Sequence, residues 1–209
     1  MKTKLFQQLV KEIHLCRDCP LGQDPEFKRH VIYRGSPDAK VWFIGEAPGK
    51  IEEREGVPFV GPAGKIFDQM VEGIGLKEFY VTNVVKARPR APKGSGRENL
   101  SPTREIIDTC SRFLEREIVL LKPRVICLLG GSAIKAFLKE PQIRVGDYVG
   151  SSRNWTAPSG QQIKLFFMYH PSYLLHSKKR GKDFHEQTKR KMWAHALKFK
   201  QLIQEVING

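Results

Sequence analysis

Residues 124–130 read Arg-Val-Ile-Cys-Leu-Leu-Gly, and Gly131-Ser132 follow. Five consecutive apolar side chains ended by glycine predict a strand buried on both faces, the form taken by strands of a parallel sheet. Two upstream stretches have the same form, VWFIG at 41–45 and FYVTNVV at 79–85. Helical patterns separate them. Leu5, Leu9 and Ile13 predict a helix over 3–15, and a second is expected near 65–73. Ser101-Pro102 reads as an N-cap and first helical residue, with the helix running to about Leu121. Gly130-Gly131-Ser132 turns into a helix over 132–139. Residues 143–169 read as strand–turn–strand ending in IKLFFMYH, and a last helix spans 184–207. This alternation predicts an α/β fold with a mostly parallel sheet covered on both faces. Ligands of such sheets bind at the carboxyl ends of the strands. The loops after 45, 85 and 169 are therefore where a site is expected.

The chain has 209 residues and a formal charge of +14. One domain spanning 1–209 is expected from the length. Four cysteines do not make a disulfide framework, and no apolar run approaches the ~18–20 residues of a membrane span. These limits predict a cytoplasmic protein with no membrane partner. The charge is uneven. Residues 1–80 carry 12 basic and 12 acidic side chains, so residues 81–209 hold all of the excess. Lys86–Arg104 contributes six basic residues against one acid, and Lys178–Lys200 nine against two. Such segments read either as solvated faces or as a polyanion-binding surface, most simply for nucleic acid.

Five features carry chemistry. Gly45-Glu46-Ala47-Pro48-Gly49 follows the first strand and leads to Glu52, Glu53 and Glu55. It lacks the Lys-Ser/Thr of a P-loop, and its carboxylates suit a cationic transition state better than a phosphate. Phe59, set among Gly56, Pro58 and Gly61, is either a core anchor or a stacking platform for a planar ligand. Asn83, inside an apolar strand, offers an amide donor and acceptor that match a nucleobase edge, or caps a loop. His170 ends a strand before Pro171-Ser172 and is either a capping residue or a donor to a developing anion. Cys16-x-x-Cys19 and Cys110 are three ligand-like cysteines, while Cys127 lies within an apolar strand.

Together, GEAPGKIEEREGVPFVGPAGKIFD, YVTNVVKARP, the Cys110 helix followed by KPRVICLLGGSA, and HPSYLL resemble the uracil-DNA glycosylase superfamily, in particular its iron–sulfur family 4 branch. The match runs in order from Cys16 to Leu175. The resemblance implies a three-layer α/β/α fold around a central four-stranded, mostly parallel sheet. It also implies hydrolysis of the N-glycosidic bond of uracil in DNA, leaving an abasic site, by a protein expected to be a monomer. A flipped base would lie against Gly45 and Ala47, stack on Phe59 and pair with Asn83. His170 would stabilise the leaving base, and Glu46 and Glu52 would hold water and charge. DNA contacts would come from Lys86, Arg88, Arg90, Lys93, Arg97, Lys178, Lys179 and Arg180. Tyr173 to Leu175 would lie on the loop that enters the duplex, and Ser172, Tyr173 and Leu174 would contact DNA there. A [4Fe-4S] cluster would be held by Cys16, Cys19 and Cys110.

The chain departs from this pattern twice. Ala87 stands where the branch has its remaining cluster cysteine, which leaves the fourth ligand unassigned and Cys127 a weak candidate. The loop RPRAPKGSGRENL is longer than usual. A related branch that traps DNA covalently has a reactive His in such a loop. No His occurs between Val81 and Met168, and the matching position falls near Asn99, so no covalent trapping is expected. A longer loop beside the pocket keeps two alternatives open: a glycosylase for a modified pyrimidine, and an inactive DNA-binding homologue.

Overall fold

A computed structural model describes residues 2–92, 94–96, 98–140 and 142–208. Its helices are α1 (Lys2–Leu15), α2 (Pro20–Gln23), α3 (Lys50–Glu55), α4 (Pro62–Gly73), α5 (Arg104–Leu121), α6 (Gly131–Leu138), α7 (Val145–Tyr148), α8 (Ser172–Ser177) and α9 (Lys182–Asn208). Its strands are β1 (Tyr33–Gly35), β2 (Val41–Gly45), β3 (Tyr80–Asn83), β4 (Val125–Leu129), β5 (Ser152–Thr156) and β6 (Gln162–Met168). The strands form one sheet in the order β1-β3-β2-β4-β6-β5.

The sheet has six strands among the described residues, not four. The expected parallel core is present, because β3, β2, β4 and β6 run parallel. The additional strands are antiparallel edges, β1 on β3 and β5 on β6. β5 and β6 are the strand–turn–strand expected over 143–169, with helix α7 in the first part of that span, whereas β1 lies outside the expected strands. β1 has only three residues, and β5 alternates exposed and half-buried side chains. The helix expected at Ser101 starts later, because Thr103 is the N-cap and its hydroxyl accepts from the Ile106 N–H.

Period-2 alternation divides the core. Trp42, Ile44, Ile126 and Leu128 face one layer with Phe6, Leu9, Phe113 and Ile134, contributed by α1, α5 and α6. Val41, Phe43, Val125 and Cys127 face the other, with Phe67, Met70, Phe199 and Leu202 from α4 and α9. Phe43 is wedged edge-on against Phe67, Phe79 and Phe199.

Just past β3, Lys86 is fully buried and its ammonium is bound on three sides. It donates to the Thr82 hydroxyl at 2.6 Å, the Asn83 carbonyl at 2.9 Å and Glu117 of α5 at 2.8 Å. Lys86 is therefore a structural cation that ties α5 to the end of β3, which corrects its reading as a DNA contact. Breaking such a pair on one side strands a buried charge. Lys86→Met should lower unfolding free energy by about 3–5 kcal/mol in urea titrations. Lys86→Met/Glu117→Leu should recover most of that loss, because neither charge remains.

Candidate active site

The carboxyl ends of β2, β3, β4 and β6 open on a cavity of about 560 Å³. Glu46, Ala47, Glu52, Phe59, Asn83, His170 and Ser172 line it, and so do Glu98, Asn99 and Leu100. Residues that lie far apart in the chain are brought to one place by the parallel strands.

Glycines make the close approaches. A Cβ on Gly45 would stand 2.4 Å from Asn83 Oδ1 and 3.0 Å from Phe59 Cζ. The Asn83 amide and the Phe59 ring thus meet over a bare backbone. Phe59 has φ 56°, a left-handed conformation rare outside glycine. Its carbonyl accepts from Arg34, which is paired to Asp68 of α4 at 2.6 Å. A Cβ on Gly64 would lie 2.0 Å from the same carbonyl oxygen, so that turn closes only over glycine. Arg34 has no motif around it, and nothing in the sequence marks it as the residue that holds Phe59.

His170 lies beside Phe59, with ring centroids 5.6 Å apart. The Ser172 backbone N–H donates to His170 Nδ1 at 3.2 Å, and the Ser172 hydroxyl lies 2.8 Å from the same atom. A nitrogen that accepts from an amide is unprotonated, so the neutral ring carries its proton on Nε2. Burial, and then the charge of His176, push the His170 pKa down to about 4. The imidazole is thus neutral at physiological pH. Ser172, expected to touch DNA, instead orients this ring. Tyr173 stacks on Tyr169, and Leu174 begins no loop, because 172–177 is helical. Leu175 is the leucine of this segment that reaches the cavity.

The two acidic positions differ. Burial raises the pKa of Glu46, while the Ser132 and Ser101 hydroxyls oppose that shift by bonding its ionised form. Glu52 Oε1 accepts from the Gly61 N–H at 2.9 Å. A Cβ on Gly61 would stand 2.9 Å from Oε1, and one on Gly49 2.7 Å from Oε2, so Glu52 is folded over two glycines.

The basic loop after β3 runs antiparallel to itself. Arg90 bridges Asn99, and the Leu100 N–H donates to the Pro89 carbonyl at 2.8 Å. Its described arginines, Arg88 and Arg90, point inward. Arg90 binds Glu53 and Asp24, and Arg88 binds Asn99 and lies 3.5 Å from Glu53. Both guanidinium side chains are about nine-tenths buried, which corrects their reading as DNA contacts. Lys93 and Arg97 lie outside the described residues. Lys178, Lys179 and Arg180 form an exposed 3-10 turn after α8, with Arg180 over the Phe184 ring.

A model of the uracil DNA glycosylase superfamily matches residues 32–197. The chain belongs to that superfamily. A type-4 uracil-DNA glycosylase of Archaeoglobus fulgidus is 32% identical over 193 residues, covering 88% of this chain and 90% of the relative. Those of Sulfurisphaera tokodaii and Thermotoga maritima are 32% and 30% identical, over 88% and 85% of this chain and 82% and 86% of theirs. A type-5 uracil-DNA glycosylase of Thermus thermophilus is 27% identical over 199 residues.

The cysteines differ from a four-ligand superfamily cluster. Cys110 Sγ accepts the Lys86 N–H at 3.2 Å, and Cys16 Sγ lies 3.7 Å from Arg112. Burial pushes the Cys110 thiol up to about 11, with smaller contributions from nearby Cys16 and Cys19. Ala87, buried beside them, has no ligand atom. Cys127 belongs to the opposite face of the sheet, which removes it as a fourth ligand. Among the described residues no three His, Cys, Asp or Glu side chains are grouped to hold a metal ion. A four-cysteine cluster does not fit this chain.

The His170 geometry has two measurable consequences. Its 15N imidazole shifts should show the Nε2–H tautomer at pH 7 and no titration near 6.5. The unfolded ring, with its ordinary pKa, binds a proton between about pH 6.5 and 4 while the folded ring does not. Stability is therefore full above 6.5 and falls as pH drops towards 4. His170→Gln should make that acid slope of Tm shallower.

Proposed function

We propose that the protein excises uracil from DNA by hydrolysing its N-glycosidic bond, as a monofunctional glycosylase of base excision repair. The observation that carries this reading is the neutral His170 ring beside Phe59, in the cavity that Asn83 also lines. The target base leaves the stack at a cost of roughly a few kcal/mol, offset by stacking and edge contacts in the cavity. The base stacks on Phe59 above Gly45 and Ala47 and presents its edge to the Asn83 amide. Charge accumulates on the departing ring, and His170 Nε2–H donates to it. A neutral donor held by Ser172 needs no reorganisation as that charge develops. The sugar becomes oxocarbenium-like, and the carboxylates of Glu46 and Glu52 stabilise it. Glu52 also takes the proton of the attacking water, since its Oε1 is anchored on Gly61 and its Oε2 is turned towards Gly49.

The exposed turn Lys178–Arg180 grips phosphates, with Tyr173 and Leu175 near the duplex. The same reading takes the protein as a cytoplasmic monomer. None of the described helices is long and apolar enough to cross a membrane. For the cysteines, which are not grouped as a metal site in this structure, the proposal is that Cys16, Cys19 and Cys110 draw together around a [4Fe-4S] cluster with one iron lacking a protein ligand. Its support is the resemblance to the iron–sulfur branch and the retained thiols. No catalytic step passes through it. Anaerobically purified protein should contain iron and sulfide and absorb near ~400 nm. Colourless, iron-free protein overturns the cluster.

The deciding assay incubates single- and double-stranded oligonucleotides containing uracil or modified pyrimidines, followed by alkali cleavage. Uracil strands should be cut, and His170→Ala should slow excision by about 10²–10³-fold with little loss of DNA affinity. No cleavage of any substrate would transfer the fold to an inactive binder. Neutralising Lys178, Lys179 and Arg180 together should weaken binding alike for every sequence and flatten its salt dependence.

A further inference from the structure

Resting on that reading, we propose that Arg34 of edge strand β1 is a positioning residue of the excision reaction, acting through Phe59. Phe59 is the ring on which the base stacks, and its backbone needs a hold. Among the described residues, Phe59, Lys122 and Lys139 are the non-glycine residues with positive φ. Lys122 and Lys139 cap the C-termini of α5 and α6, where a left-handed residue is common. Phe59 caps no helix, since α3 closes on Gly56 and α4 opens from Gly61. A bulky residue in that conformation is strained, and the strain persists only where the surroundings over-determine it.

Arg34 supplies that hold. Its Nη1 donates to the Phe59 carbonyl at 3.0 Å, and its Nη2 donates to Asp68 Oδ1 of α4 at 2.6 Å. The Phe79 ring lies on a third side, its centroid 5.7 Å from the guanidinium carbon. A return of Phe59 to an ordinary negative φ swings its carbonyl away from Arg34, so the bond and the left-handed turn are kept or lost together. In that turn the Phe59 ring centroid lies 5.1 Å from that of Phe67 and 5.6 Å from that of His170. The fork matters as much as the charge. Two acceptors at fixed angles are met by a planar guanidinium and not by the point charge of a lysine. Strand register adds a second link. Arg34 pairs with Val81 of β3, two residues before Asn83 on the same strand. The stacking ring and the amide that reads the base edge are thus both set from β3.

The test uses Arg34→Met, Arg34→Lys and Asp68→Asn in the full chain, with Phe59→Ala and Arg34→Met/Phe59→Ala to close a double-mutant cycle. Single-turnover excision rates are read beside Tm and the Kd for an oligonucleotide carrying uncleavable 2′-fluoro-2′-deoxyuridine. Wild-type excision of uracil must first be seen; without it the underlying reading fails, whatever Arg34 does. Given that activity, Arg34→Met should weaken the Kd for the analogue strand about tenfold, the worth of one charged hydrogen bond. The Kd for the same strand with thymine in place of the analogue should stay within about twofold, because only stacking of the flipped base is lost. Arg34→Lys should recover part of the loss, since it keeps the charge and serves one acceptor. Asp68→Asn releases the guanidinium without removing it and should show the same selective loss, smaller in size; it decides the matter if Arg34→Met does not fold. In the Phe59→Ala background Arg34→Met should change rate and Kd by less than about twofold, since no ring is left to aim. A merely structural arginine would lower Tm and cost the same in both backgrounds. An undiminished loss in the Phe59→Ala background overturns the assignment. So does a rate and analogue Kd within twofold of wild type in Arg34→Met, or in Asp68→Asn where Arg34→Met does not fold.

Discussion

The fully buried contact between Lys86 and Glu117 is the constraint on which the rest of the site depends. Two opposite charges in the core are costly unless they are paired, so the pair dictates where its surroundings lie. The ammonium draws the Asn83 carbonyl and the Thr82 hydroxyl towards α5. The backbone N–H of the same lysine is bound to Cys110. One residue therefore fixes the end of β3, the angle of α5 and the thiol beside it. The Val84 and Val85 N–H groups complete the link by donating to the Gly45 and Glu46 carbonyls. The loop after β2 that carries Glu46 and the strand end that carries Asn83 thus form one rigid piece.

This arrangement changes what the net charge of +14 means. Arg88 and Arg90 are consumed by Glu53, Asp24 and Asn99, so much of the basic loop's charge is internal. These pairs shape the loop into a wall of the cavity. Exposed positive charge lies instead on the turn after α8, at Lys178, Lys179 and Arg180, and along α9, at Lys182, Lys189, Arg190 and Lys191.

The parallel core strands were legible because apolar side chains dominate each, continuously in β2 and β4 and broken by Thr82 in β3 and Lys164 in β6. The residues of the cavity were legible for a related reason: polar side chains at the ends of apolar strands are costly unless used. Asn83 and His170 both sit at such ends. Of the edge strands, β5 was legible only as the first half of the strand–turn–strand read over 143–169, and β1 was not legible, since its three residues carry no apolar run. Charge alone also misled at Lys86, Arg88 and Arg90, because sequence shows that a side chain is cationic and not which carboxylate, many residues away, it meets. Glu117 lies 31 residues beyond Lys86 and Glu53 lies 37 before Arg90, and only the fold brings them together.

The glycines at 45, 49 and 61 have a consequence for how such a protein drifts. None has a positive φ, so alanine is sterically acceptable to the backbone at each. What each excludes is a methyl group in space already used by Asn83 or Glu52. At 49 and 61 that methyl would displace the carboxylate and leave the Phe59 and Asn83 pocket standing. A lineage with a need for a folded protein that holds uracil-containing DNA without cutting it has two one-step routes there. Neither strains the backbone, and neither alters a residue that would be recognised as catalytic.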